Sequence, residues 1–135
     1  IVKILNFTPY HVRIKAEKYE YEGEAVIGAI CNGRQAGGGQ VLARDACIND
    51  GVFDVLIARS FPFNAIEQVA AELRSPSPSG EYITLFQSSW LESYAEVPVP
   101  VNLDGEPISS NSIRYEVLPG AIKLALPEDC PCLKK

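Results

Sequence analysis

The 135 residues are 47% hydrophobic and set 12 Lys and Arg against 17 Asp and Glu, a net charge of -5 at pH 7. An acidic chain without a basic run cannot displace the counterions of a phosphate backbone, so nucleic acid is not an expected partner. No apolar stretch approaches the roughly 20 residues needed to span a bilayer, which argues against a transmembrane helix here, and no signal peptide is visible. The length suits one domain, and ten Gly and ten Pro scattered along it favour short elements and turns, hence a mainly β fold.

Along the chain, Val12, Ile14 and Ala16 alternate with polar residues over His11–Ala16, the period of a half-buried strand. Tyr19–Glu24 reads as a turn into Ala25–Cys31, a nearly continuous apolar run suited to a strand covered on both faces and closed by Asn32-Gly33. Val52–Ala58, Tyr82–Gln87 and Val97–Leu103 have the β-branched and aromatic content of strands, and Ser112–Leu118 and Ile122–Leu126 complete the set. Asp50-Gly51, Asp104-Gly105 and Pro119-Gly120 are turn dipeptides, the last predicting a hairpin between the final two strands. One helix of about ten residues is expected at Asn64, with Glu67 completing a capping box and Ile66, Val69, Ala70 and Leu73 on one face. The Pro-rich stretch Ser75–Gly80 stops it. Seven or so strands at this spacing predict a two-sheet antiparallel β-sandwich with one short helix, a single domain over residues 1–135.

Four cysteines, Cys31, Cys47, Cys130 and Cys132, are too few and too irregularly placed for a secreted disulfide framework, so a reducing cytoplasm is the expected compartment. Cys130-Pro131-Cys132 lacks a second pair, and His11 is the only histidine, so structural zinc is not expected. Asn32–Gln40 holds four glycines, which allow sharp turning and close backbone approach. It lacks the Gly-Lys-Ser/Thr ending of a phosphate-binding loop, and by residue type alone it reads either as a connection between strands or as a ligand loop.

Four segments, taken in order, carry a family resemblance: Asn32–Gln40; Asp45–Asp54 with its Asn49-Asp50-Gly51 core; Asn102-Leu103-Asp104-Gly105-Glu106-Pro107; and Leu118-Pro119 through Leu126–Pro131. Over about residues 26 to 133 the chain resembles the C-terminal half of bacterial lipid kinases of the diacylglycerol kinase catalytic family. The resemblance implies an intact enzyme in which an N-terminal α/β domain with a Gly-Gly-Asp-Gly-Thr sequence binds ATP and a C-terminal β-sandwich completes the cleft. No Gly-Gly-Asp-Gly-Thr and no Met occur in this sequence, so the expectation is a C-terminal piece whose ATP-binding half precedes Ile1. The implied activity is ATP-dependent phosphorylation of a lipid hydroxyl, of diacylglycerol or phosphatidylglycerol type, with the fragment alone inactive.

The resemblance also implies roles for residues. Glu106 matches the proton acceptor that would deprotonate the lipid hydroxyl as it attacks the γ-phosphorus of ATP, although turn chemistry alone also explains the Asp104-Gly105-Glu106 string. Asp50, with the backbone carbonyls of Cys47 and Val52, matches a Mg²⁺ site that would leave about three octahedral positions to water, and an unmetallated Asn-Asp-Gly turn is the alternative. The Cys47 thiol itself would be a poor ligand for so hard an ion. Arg34 and Gln35 are the polar side chains of the glycine loop, and the Arg34 fork suits a phosphate, an acidic headgroup or a carboxylate of a neighbouring domain. The implied partners are the lipid and the ATP-binding domain of the same polypeptide, with only transient membrane-surface contact because no basic amphipathic helix is present. Competing readings are a non-catalytic β-sandwich binding module and half of a related sphingoid-base or NAD kinase.

Overall fold

The first alternating segment forms a strand, β1 (Tyr10–Ala16), in the computed structural model, which describes residues 8–36 and 39–134. Its partner β2 spans Glu20–Cys31, so the segment Tyr19–Glu24 expected as a turn is mostly strand. Tyr21 and the glutamates Glu20, Glu22 and Glu24 alternate between the two faces of the sheet. Tyr21 packs inward, and its ring lies over Gly23, where an added Cβ would meet the Tyr21 hydroxyl at 2.7 Å. A side chain at 23 would displace that ring.

A two-residue pair, β3 (Gln35–Ala36) with β4 (Gln40–Val41), flanks the glycine loop, of which Gly37 and Gly38 lie outside the described residues. β5 (Phe53–Arg59) follows, then a 3-10 turn at Phe63–Ala65 and helix α1 (Ile66–Arg74). The helix starts later than the capping-box reading has it. Pro62 opens the 3-10 turn, the Ala65 N–H donates to the Pro62 carbonyl at 2.9 Å, and no side chain caps the helix proper. β6 (Ile83–Ser88), β7 (Trp90–Leu103) and β8 (Glu106–Glu116) complete the strands. β7 begins seven residues before the predicted Val97 and β8 six before the predicted Ser112. Ile122–Leu126 is not a strand: its alternating apolar residues find no strand edge to pair with, so Pro119-Gly120 is a turn without a hairpin.

The six long strands join one antiparallel sheet in the order β6-β5-β2-β1-β7-β8. β6 and β7 sit far apart in that order, yet Ser89 alone links them, so the sheet must fold back on itself. β2 makes this possible. Its first half pairs with β1, its second half with β5, and a bulge at Val26 separates the two registers and bends the strand. The mainly β, antiparallel class with one short helix is as expected; in place of two separate large sheets, the long strands form one continuous sheet that folds back into two layers, beside a minor two-stranded ribbon.

Between the layers lie Ile14, Ala16, Ala25, Phe53, Val55, Ile57, Phe86 and Leu91, with Tyr19 stacked on Phe86 at 4.1 Å between ring centroids. The alternate residues of β5, Leu56 and Ala58, face outward and are covered with Ile83 by Val69 of α1. β5 is therefore covered on both faces, which is why Phe53 to Ala58, Asp54 included, are buried without interruption.

Candidate functional site

Asp50 stands in the turn that delivers the chain into β5. The Val52 N–H donates to its Oδ1 at 3.2 Å, and Gly51 takes φ +78°. This is an Asx-type turn: a short carboxylate substitutes for a backbone acceptor two residues back, and glycine supplies the left-handed conformation. Cys47 and Val52 belong to the same short loop, so the three residues of the implied cation site are brought together locally. The Cys47 thiol is turned to its own backbone, donating to the Asp45 carbonyl at 3.6 Å. Ala43 and Ala46, just before the loop, are both buried.

Asp54 stands just beyond this turn and sequence reasoning missed it. It is only 6% exposed and accepts a hydrogen bond from Gln87 Nε2 at 3.3 Å. Burial pushes its carboxyl above the ordinary aspartate range; the Gln87 hydrogen bond opposes this, while the negative charges of Asp50 and Asp45 reinforce it. The Cys31 thiol, opposite Asp54 on β2, is likewise raised, first by burial and then by the Asp54 charge. Negative potential therefore accumulates at this end of the sheet. The signal available in the sequence was an Asp inside an otherwise apolar strand.

Arg34 is where the glycine loop meets the turn. Its carbonyl accepts from the Leu42 and Ala43 N–H groups at 3.1 and 3.3 Å, and its Nε donates to the Ala46 carbonyl at 3.1 Å. Its Nη2 donates to the Pro131 carbonyl. Two nitrogens of the guanidinium are thus engaged with backbone carbonyls of this chain. The side chain of Gln35 is exposed.

Glu106 lies elsewhere, at the tip of the β7–β8 hairpin. Asp104 at φ +49° and Gly105 at φ +101° form the two-residue turn that the sequence predicted, and the Gly105 N–H donates to Asn102 Oδ1 at 2.7 Å. Glu106 is the first residue after it, paired with Leu103 and exposed. Among the described residues no hydrogen bond or ion pair engages its carboxylate or ties it to the Asp50 turn. No three His, Cys, Asp or Glu side chains gather as metal ligands among the described residues either. The cavity of about 220 Å³ on the outer face of β1, β7 and β8, lined by Arg13, Lys15, Glu92, Tyr94 and Arg114, touches neither position.

A sequence model of the family described as "YegS C-terminal NAD kinase beta sandwich-like domain" matches residues 1–126. The chain belongs to this family. A relative from Shewanella frigidimarina (strain NCIMB 400) named "Probable lipid kinase YegS-like" is 44% identical over 133 residues, covering 98% of this chain and 43% of the relative. One from Salmonella typhimurium (strain LT2) named "Probable lipid kinase YegS" is 36% identical over 136 residues, covering 99% of this chain and 44% of the relative. This chain therefore spans less than half the length of the curated relatives it matches. A solved structure described as a diacylglycerol kinase from Bacillus anthracis str. Sterne superposes with a TM-score of 0.66 at 21% identity, over 85% of this chain and 42% of that one. At that identity the likeness establishes the fold alone. No helix among the described residues is long and apolar enough to cross a membrane.

Proposed function

We propose that the protein this domain belongs to is an ATP-dependent lipid kinase and that the domain forms its acceptor side, with a second domain holding most of the ATP. The observation that carries this reading is family membership combined with coverage: relatives named as lipid kinases match along the whole of this chain and are more than twice as long. Glu106 is the general base. A carboxylate held at the tip of a tight hairpin, exposed and without an intramolecular partner among the described residues, is free to accept a proton from an alcohol brought against it. Phosphoryl transfer depends chiefly on positioning and charge stabilisation, so a modest base at the right distance suffices.

The Asp50 turn suits a weakly held Mg²⁺. Its donors are hard oxygens, among the described residues Asp50 Oδ1 accepts one hydrogen bond and Oδ2 none, and Asp45 and Asp54 add negative potential. Asp50 and the carbonyls of Cys47 and Val52 would hold the ion, which when bound supplies local charge neutralisation. With one carboxylate in the set, Asp50 acts mainly to keep the loop in one conformation, and Glu106 performs its proton transfer independently. The substrate class is a lipid alcohol, diacylglycerol or phosphatidylglycerol, met at the membrane surface in transient contact, and the compartment is the cytoplasm.

The test is a turnover assay of the full-length protein with ATP, Mg²⁺ and a lipid panel including diacylglycerol, phosphatidylglycerol and a sphingoid base. Glu106→Gln should lower kcat by about 10²–10⁴-fold, the usual worth of a general base, with the melting temperature unchanged. Normal turnover in that variant would remove Glu106 from the mechanism. Transfer to none of the lipids would favour a binding module instead.

A further inference from the structure

The last described residues of the chain return to the Asp50 turn and are bonded to it at several points. Ile48, between Cys47 and Asn49, donates its N–H to the Cys132 carbonyl at 2.9 Å. Asn49 and Lys134 exchange two hydrogen bonds: Asn49 Nδ2 donates to the Lys134 carbonyl at 3.2 Å, and the Lys134 N–H donates to Asn49 Oδ1 at 2.7 Å. Arg34 closes the arrangement from the other side, one nitrogen on Ala46 and another on Pro131. On the way to this contact the chain passes Gly51, where an added Cβ would lie 3.9 Å from Pro119 Cγ. The turn is thus held from one side by Arg34 and from the other by the segment 131–134.

We infer that Arg34, Asn49 and the C-terminal segment Pro131–Lys134 are positioning elements for the Cys47–Val52 turn, acting as a clasp that fixes its carbonyls for a cation. The inference deepens the Mg²⁺ reading above and rests on it. It follows from the chemistry of a site whose ligands are largely backbone. One carboxylate anchors the ion, and the remaining protein donors are carbonyls whose direction depends on loop conformation, so whatever fixes the loop sets the affinity. Asn49 suits this because its amide is both donor and acceptor and can exchange a reciprocal pair with one residue's backbone. Arg34 suits it because the planar fork donates in two directions at once, to Ala46 and to Pro131, which a lysine ammonium on a flexible stem does not reproduce. The clasp also gives Arg34 a task that uses geometry in preference to charge.

The experiment compares the full-length protein with three variants: termination after Asp129, Arg34→Lys and Asn49→Ala. Two quantities are read in each, amide hydrogen exchange over residues 42–53 by mass spectrometry and Mn²⁺ affinity by electron paramagnetic resonance, with Asp50→Asn defining the Mn²⁺ signal that belongs to the turn. Partners that orient ligands typically contribute about 10–100-fold to metal affinity, so each variant should bind Mn²⁺ at least about tenfold more weakly. Exchange over 42–53 should rise while β5 and the melting temperature stay as they were. Unchanged exchange over 42–53 in all three variants overturns the clasp. Faster exchange with unaltered Asp50-dependent Mn²⁺ affinity overturns the positioning role. If Mn²⁺ binding does not depend on Asp50, the cation reading falls, and exchange still decides whether the clasp holds the loop. Should termination after Asp129 prevent folding, Arg34→Lys and Asn49→Ala carry the test, and retention of Asp50-dependent affinity by Arg34→Lys would show that charge alone is what position 34 supplies.

Discussion

β5 and the far end of the β7–β8 hairpin are both antiparallel strand structure, yet they answer to different forces. β5 lies between two neighbours and is covered on both faces, by the interlayer core on one side and by α1 on the other. Beyond Ala95, β7 has left β1 behind and pairs only with β8, its ladder slipping between Tyr94 and Val99. Val97, Leu103 and Ile108 are there 58%, 45% and 40% exposed. Pro98 and Pro100 are tolerated in this stretch because β7 has no second neighbour among the described residues to which an N–H must be given. One strand is held by burial and the other by a tight turn and one ladder. The difference teaches where each kind of residue belongs: the interior strand supplies stability, and the ribbon carries Glu106 outward.

The comparison can be broken most forcefully in the core. Ile57→Ala removes a side chain packed between the layers and should cost about 2–5 kcal/mol, read by denaturant unfolding with an unchanged m-value. A loss under about 1 kcal/mol would mean that the layers can close over the cavity. Gly105→Ala forces a side chain into the left-handed region at φ +101°, a penalty of roughly 1–2 kcal/mol that should appear as faster exchange of ribbon amides with little change in global melting. Equal destabilisation of β5 amides would show that the ribbon and the core unfold together.

Asp54 offers a pH-dependent measurement. Its native carboxyl is raised, mainly by burial, so between the ordinary aspartate range and that higher native value the folded state binds more protons than the unfolded one. Stability should therefore rise as pH falls through that window and level off below it. Asp54→Asn keeps the Gln87 contact, should be more stable than the parent at pH 7, and should lose the acid-side gain. A parent whose stability declines on acidification across that window contradicts the assignment. Smallest of all, Ile108→Ser on the exposed ribbon should fall within about 0.5 kcal/mol of the parent in the same unfolding assay.

Where periodicity was matched by a partner strand, the sequence was legible. Val12, Ile14 and Ala16 alternate with exposed residues and form the inward face of a half-buried strand as expected, and Asp104-Gly105 makes the tight hairpin its residue types favour. Ile122, Leu124 and Leu126 alternate just as well and form no strand, being 78%, 64% and 41% exposed. Alternation reports only that one face is apolar; pairing needs an edge in the right place, which no local pattern encodes. The start of β2 failed in the opposite sense, because three glutamates and Gly23 have low strand propensity, yet β1 supplies the edge and Arg13 pairs with Glu22 across it at 3.0 Å. At the candidate site the resemblance singled out Asp50 and Glu106, and what the residue types themselves made legible was the turn beside each, at Gly51 and at Asp104-Gly105. The bonds of Asn49, Arg34 and the C-terminal segment were not legible, since they join positions 85 and 97 residues apart.

Ser89 has a kinetic meaning. The β2-β5-β6 ladder lies wholly before Ser89, but the part of the sheet beyond it cannot be completed until β1 pairs with β7, and for that Val12 must find Ala95 across the whole middle of the chain. The β1–β2 and β7–β8 hairpins can form early from local contacts, whereas β1–β7 pairing must first overcome the entropy of closing a long loop. The late event in refolding is then the pairing of the β1–β2 hairpin with the β7–β8 hairpin, with Ile14 and Leu91 burying together as the sheet shuts. Proteins dominated by such distant pairings fold on the slower scale of about milliseconds to seconds.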